Sequence, residues 1–303
     1  MQNKTLIVHS PEYLNWKFSE DHPTQGRRFI NGYNLIKQGL DAIRHGFDEV
    51  LPRVATCEEL LRVHSEGHYN NVVNEYSCGE WDGARKELSH CAQLFAGGTL
   101  VALDAIINKG YRTAIHLPGA KHHAQRDHSS GFCVFADFAM AADIATRDYG
   151  KKVAILDIDA HHGDGTENLT VANPDVLTFS IHEWGIFPGT GLGDDADRNI
   201  YNSGLTSETG MGDEALLREV NRFIGLAEQM QPDVIFVAVG ADGHAEDPLT
   251  HLQYSVAGYK EAARLVRSKF PNLPILIGGA GGYLPDTRTP EVWSNFAIEI
   301  SIN

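Results

Sequence analysis

Six short runs of Val, Ile, Leu and Ala recur along the chain, separated by longer stretches with helical periodicity. They are TLIVH (5–9), RTAIH (112–116), KVAILDI (152–158), VLTFSI (176–181), DVIFVAV (233–239) and PILIG (274–278). Strands this apolar have no wet face, so both faces must be covered, which is the condition of a parallel sheet. Candidate helices fall near 26–44, 89–108, 134–149, 212–230, 254–269 and 289–300, the last opening after Pro290. Strand and helix in alternation predict an α/β chain with a parallel sheet between helices. There is no repeat, low-complexity tract or Ser/Gly linker, so residues 1–303 read as one domain.

Charge and cysteine usage narrow the function classes. Lys plus Arg number 25 against 40 Asp plus Glu, a formal net charge of −15, which argues against nucleic acid as a partner because phosphate binding needs a basic surface. Cys57, Cys78, Cys91 and Cys133 form no CxxC pair, and the opening MQNKTLIVHSPEYL has no basic region followed by an apolar core. A reducing, cytoplasmic location is expected. No apolar run approaches the roughly 18 residues that span a bilayer, so no membrane association is expected. Oligomeric state is not legible.

In an open parallel α/β sheet, ligands bind beyond the carboxyl ends of the strands. KVAILDI runs into DAHHGDG, VLTFSI into HEWGIFPGTG, DVIFVAV into GADGHAEDP, and PILIG into GAGGY. Seven of the fifteen histidines (His116, His122, His123, His128, His161, His162, His182) lie between positions 116 and 182. In DIDAHHGDG, a period of two puts Asp157, Asp159 and His161 on one face, and stacked acids at the end of a buried strand call for a cation or donors. Asp242 reaches the same sheet edge from DVIFVAVGAD. Asp159, His161 and Asp242 make an O₂N set with open positions, the pattern of a catalytic metal. Zinc suits it, and iron(II) suits the same donors.

Tandem His122 and His123 supply groups that titrate near neutrality, while Asp157 and Asp164 remain to fix their tautomers. Tyr283, on the glycine-rich bend GGAGGY, can donate to a developing oxyanion. Glu80 or Asp82, in EYSCGEWDGARKE, is a candidate for orienting a cationic or amide-bearing substrate. Cys133 reads as a packed small hydrophobe or as a redox-sensitive thiol beside the site.

Seven stretches in order, DHPTQGRR, LLRVHSEGHY, PGAKHHAQRDHSSGFC, VAILDIDAHHGDGT, SIHEWGIFPGTG, GADGHAEDPL and GGAGGY, resemble the histone deacetylase side of the arginase–deacetylase superfamily, which includes acetoin-utilisation proteins and acetylpolyamine amidohydrolases. The resemblance implies a single-domain fold with an eight-stranded parallel sheet sandwiched by helices. It implies a zinc-dependent amidohydrolase that cleaves an acetylated amine (acetyl-lysine, acetylpolyamine or another small acylated amine) to a carboxylate and a free amine. Carried over, Asp159, His161 and Asp242 match the metal ligands and His122, His123 and Tyr283 the catalytic groups. Asp157 and Asp164 match the acids paired with the two histidines. Gly131, Phe132 and Phe187 match substrate-channel positions, and Arg28 an internal channel behind the metal. Asp157, Asp159, His161 and Ser180 match a site for K⁺ or Na⁺. Two departures stand out: the usual SAGFD reads AVGAD at 238–242, and GGGGY reads GAGGY, with Ala280 in place of a glycine.

Two other readings are weighed against this one. A two-manganese ureohydrolase of the arginase branch needs further carboxylates where this chain has Gly163 and His244. A non-catalytic acyl-lysine-binding module would keep the pocket without needing every catalytic position filled.

Overall fold

In the computed structural model, which describes residues 4–302, every strand pairs in parallel within one eight-stranded sheet. The chain runs from β1 (Thr5–Val8) through α1 (Arg27–Ala42) to β2 (Phe47–Val50). Single-turn helices α2 (Cys57–Leu60) and α3 (Glu66–Tyr69) precede the long α4 (Lys86–Asn108). Then come β3 (Thr113–His116), α5 (Asp137–Arg147), β4 (Val153–Asp157), α6 (Asp164–Thr170), β5 (Val176–Glu183) and β6 (Ile200–Leu205). The chain closes with α7 (Asp213–Met230), β7 (Val234–Ala238), α8 (Val256–Lys269), β8 (Ile275–Gly278) and α9 (Arg288–Ile302). The ends of the single-domain span, residues 1–3 and 303, lie outside the described residues.

All six apolar runs are strands, and the fold is the expected helix-flanked parallel sheet. The two strands without an apolar run, β2 (FDEV) and β6 (IYNSGL), are the two edges of the order β2-β1-β3-β8-β7-β4-β5-β6. An edge strand meets a neighbour on one side only and keeps polar residues, which also discourage pairing with another sheet. By contrast β4, β5, β7 and β8 are buried throughout. Helices α7, α8, α9 and α1 pack in a row as one layer, and α4, α5 and α6 form the other.

Helix faces follow their sequences. In α7, Leu216, Val220, Phe223, Ile224 and Ala227 fall at helical spacing and are all buried. Ser255 caps α8 by accepting from Gly258 N at 3.0 Å. The last helix opens at Arg288, not after Pro290, which occupies the first turn, where a missing N–H leaves no bond unmade. One expectation needs amendment: α4 is long and apolar enough, with mean hydropathy 1.4 over its best window, to meet the length criterion for a bilayer. That window is 72% buried inside the protein, where the helix packs along β1, β3 and β8.

The strand order positions the chemistry. β3, β8, β7 and β4 are consecutive in the sheet, so the loops leaving their carboxyl ends share one rim. Those loops carry His122 and His123, Tyr283, Asp242, and Asp159 with His161, respectively.

Candidate active site

Asp159 and Asp242 are both fully buried. Strand β4 ends at Asp157, so the two-residue alternation stops there, and short side-chain-to-backbone bonds carry the convergence onward. Asp159 N donates to Asp157 Oδ1 at 3.0 Å, and His161 N donates to Asp159 Oδ1 at 2.9 Å. Across the rim, Ala160 N donates to Asp242 Oδ1 at 3.0 Å and Gly281 N to Asp159 Oδ2 at 2.6 Å. One ligand atom each from Asp159, His161 and Asp242 lies within 4.8 Å of the others. His161 Nδ1 faces both acids, 3.1 Å from Asp159 Oδ1 and 2.9 Å from Asp242 Oδ2.

This donor set fits a divalent ion. Two buried carboxylates share one imidazole, an excess of negative charge that burial makes costly. The same excess drives His161 up to about 11: burial opposes its charge, but the bonds to Asp159 and Asp242 prevail. Glycines allow the close packing, because a Cβ on Gly281 would come within 2.3 Å of Asp242 Oδ2. Zinc and iron(II) both suit two carboxylate oxygens and one imidazole nitrogen.

Beside the triad, the His122 and His123 rings lie 3.9 Å apart, each tied to its own acid. His122 Nδ1 is 2.7 Å from Asp157 Oδ2, and His123 Nδ1 is 2.7 Å from Asp164 Oδ1. Gln125 Nε2 donates to the other oxygen of Asp164 at 2.8 Å. The two imidazoles are polarised in opposite directions. Burial lowers His122, but Asp157 and Asp159 override it and raise the ring to about 9. Burial and then the charge on His122 push His123 down to about 3. The acids beside His122 thus favour its charged form, and His122 in turn disfavours charge on His123.

These groups open into a cavity of about 410 Å³ lined by Glu80, His123, Gly131, Phe132, His161, Phe187, Leu249 and Tyr283. Gly131 (φ 54°) and Phe132 (φ 63°) turn the backbone through the left-handed region. A Cβ on Gly131 would lie 2.5 Å from His123 Cδ2, so only glycine lets this wall reach the ring. The Phe187 ring meets His123 edge-on at 5.0 Å. Burial and then the charge of Asp242 hold the Tyr283 phenol well above its usual range, so it stays protonated as a donor. The GAGGY bend forms despite Ala280, which takes φ 51°.

The described residues contain one such potential metal cluster, with no added carboxylate at Gly163 or His244. The histone deacetylase domain pattern matches residues 22–299. The chain belongs to the histone deacetylase family. It is 32% identical to the acetoin utilization protein AcuC of Bacillus subtilis (strain 168), over 98% of this chain and 82% of that one. The AcuC proteins of Staphylococcus aureus (strain Mu50) and Staphylococcus xylosus are each 28% identical over nearly the whole chain, which covers 82% and 83% of their lengths. As a family member it is a deacetylase, a hydrolase acting on amide bonds.

Several sequence candidates separate once this deacetylase is folded. Glu80 lines the cavity and accepts from Phe132 N at 2.8 Å, whereas Asp82 is exposed and does not line it. Arg28 is buried against a second, inner cavity, with Cys133 in the same wall. Burial pushes the Cys133 thiol up to about 12, which suits a packed, unreactive sulfur. Ser180 lies opposite Asp157 in the β4–β5 register, with its Oγ 3.0 Å from His182 Nδ1.

Of the seven clustered histidines, three belong to the site. His116 is bonded between Tyr13 and Thr99, His128 is exposed beside Asp127, and His162 pairs with Glu167. Two positioning acids escaped sequence reading. Asp137, at the start of α5, accepts from Ala120 N at 3.0 Å and Lys121 N at 2.7 Å, fixing the loop before the tandem histidines. Asp247 accepts from Tyr283 N at 2.9 Å. Each bonds to backbone, which leaves no motif to find.

Proposed function

We propose that this deacetylase holds one zinc ion on Asp159, His161 and Asp242 and hydrolyses the N-acetyl amide of an acetylated amine. The observation that carries the reading is the side-by-side pair of imidazoles, each bonded to its own acid, next to a buried carboxylate–imidazole triad. A metal bound there supplies a Lewis acid that acidifies water and polarises a carbonyl. His123, neutral and held through Nδ1 by Asp164, accepts the proton of the attacking water and passes it to the departing nitrogen. His122, cationic on Asp157, stabilises the negative charge that develops between them. Tyr283 donates its phenolic hydrogen bond to the oxyanion. The amide C–N bond breaks, the water oxygen stays on the acyl carbon, and the products are acetate and a free amine.

Phe132 and Phe187 flank the acyl amide, with the Gly131 backbone available to its N–H. Glu80 is the one acid in the cavity wall, suited to a substrate that carries a positive charge or a second amide. A monovalent K⁺ or Na⁺ beneath the zinc, on Asp157, Asp159, His161 and Ser180, and a cytoplasmic location complete the proposal. The test is turnover of the zinc-loaded protein on acetyl-lysine peptides, acetylated polyamines and other acylated amines. A hundredfold preference for one class assigns the substrate. No turnover on any, with zinc bound stoichiometrically, would favour a binding module.

A further inference from the structure

The two histidine–acid pairs share one plan: one carboxylate oxygen meets the imidazole, and the other accepts a hydrogen bond that fixes the plane of the carboxylate. For Asp157 the second donor is backbone, Asp159 N at 3.0 Å, which no side-chain substitution removes. For Asp164 it is a side chain, Gln125, whose Nε2 donates to Asp164 Oδ2 at 2.8 Å. The acid that orients His123 is therefore held by a replaceable group.

The Gln125 amide is itself fixed. An ionised carboxylate only accepts, so the NH₂ end of Gln125 must face Asp164. The same Nε2 donates to the carbonyl of His123 at 3.3 Å, so one amide ties the imidazole's main chain to its acid. Oε1 is left to accept, and Asn168 Nδ2 donates to it at 3.1 Å. Asn168 follows Asp164 by four residues in α6, which puts both on one face of that helix. The backbone of Gln125 is anchored without help from its side chain: its N–H donates to His128 O at 2.9 Å, and its carbonyl lies 2.9 Å from His64 Nδ1. Gln125 is half-buried and does not line the catalytic cavity, so its amide acts on the reacting groups only through Asp164 and His123.

We propose that Gln125 is a positioning residue: its amide, oriented by Asn168, locks the Asp164 carboxylate and thereby aims Nε2 of His123 at the reacting atoms. The effect on turnover rests on His123 as the proton acceptor proposed above; the lock itself rests on the hydrogen bonds of the amide. A carboxylate held by one oxygen alone swings about its own torsions and carries the imidazole with it. Misaiming a proton acceptor slows the reaction without weakening the contacts that bind substrate.

The experiment compares the full-length, zinc-loaded chain with Gln125→Met and Asn168→Leu. Methionine keeps the length of the side chain and removes both N–H donors. In protein labelled with ¹⁵N-histidine, the Nδ1 proton of His123 is the resonance lost in His123→Ala, and NMR follows it beside kcat, KM and the melting temperature. In Gln125→Met that resonance is expected to shift and broaden, and kcat to fall about 10- to 100-fold. KM should stay within about twofold, because no contact to substrate is removed. Asn168→Leu, which frees the amide without deleting it, should show the same changes to a smaller extent. If Gln125→Met fails to fold, Asn168→Leu, at an exposed position, decides. A lower melting temperature with the resonance and kcat unchanged makes Gln125 a packing residue and overturns the proposal. The resonance needs no turnover: if it changes in Gln125→Met while His123→Ala remains fully active, the lock stands and the role proposed for His123 falls.

Discussion

His123 Nδ1 lies 2.7 Å from Asp164 Oδ1, and the next ring, His122, is fixed at the same distance by Asp157. The bond from Nδ1 leaves Nε2 of His123 as the basic nitrogen on the cavity side. Because His123 is no metal ligand in this geometry, His123→Ala should keep bound zinc while kcat falls about 10²- to 10⁴-fold. Metal analysis and turnover on the same sample check it. Activity within tenfold of wild type would remove His123 from proton transfer.

In the proposed reaction Tyr283 acts through its hydroxyl, while its ring packs on Phe132 at 6.1 Å and its backbone N–H is held by Asp247. Tyr283→Phe keeps both contacts. The expected result is a 10²- to 10³-fold loss in kcat with little change in KM and an unchanged melting temperature. A variant that loses substrate affinity instead would make the phenol a ground-state contact.

Much of this arrangement was legible because a buried parallel strand writes itself as an apolar run and places its chemistry in the residues that follow. Asp159, His161 and Asp242 stood out for that reason. β2 and β6 did not, since an edge strand carries no such run: Asp48 and Glu49 in β2 and Asn202 and Ser203 in β6 are polar. Nor does any residue pattern state that β8 and β7 lie between β3 and β4, the order that brings four exits together.

Chelating the metal should abolish turnover and also weaken the fold. Asp159 and Asp242 would then have backbone N–H groups, His161 and the neighbouring His122 to offset two buried charges. A ligand present at a thousand times its dissociation constant stabilises by about 4 kcal/mol. Thermal melts with and without a chelator, then with zinc restored, should show a reversible fall of several degrees. An unchanged melting temperature after verified metal loss would place the ion outside this triad.

His64 gives the fold a sensitivity to acid. Its Nδ1 is 2.9 Å from the carbonyl of Gln125, and its Nε2 accepts from Ala136 N at 2.9 Å, so both nitrogens are satisfied only in the neutral ring. Burial, then the neighbouring His68, holds it down to about 3. An unfolded histidine titrates near 6.5, so the unfolded chain gains a proton first, and the stability His64 provides is lost as pH falls from 6.5 toward 3. Between pH 6.5 and 5 this single ring should cost about 2 kcal/mol. Urea unfolding of the wild type and His64→Asn at both pH values isolates it: the wild type should lose about that much more than the variant. Parallel losses would mean that His64 becomes charged within the fold.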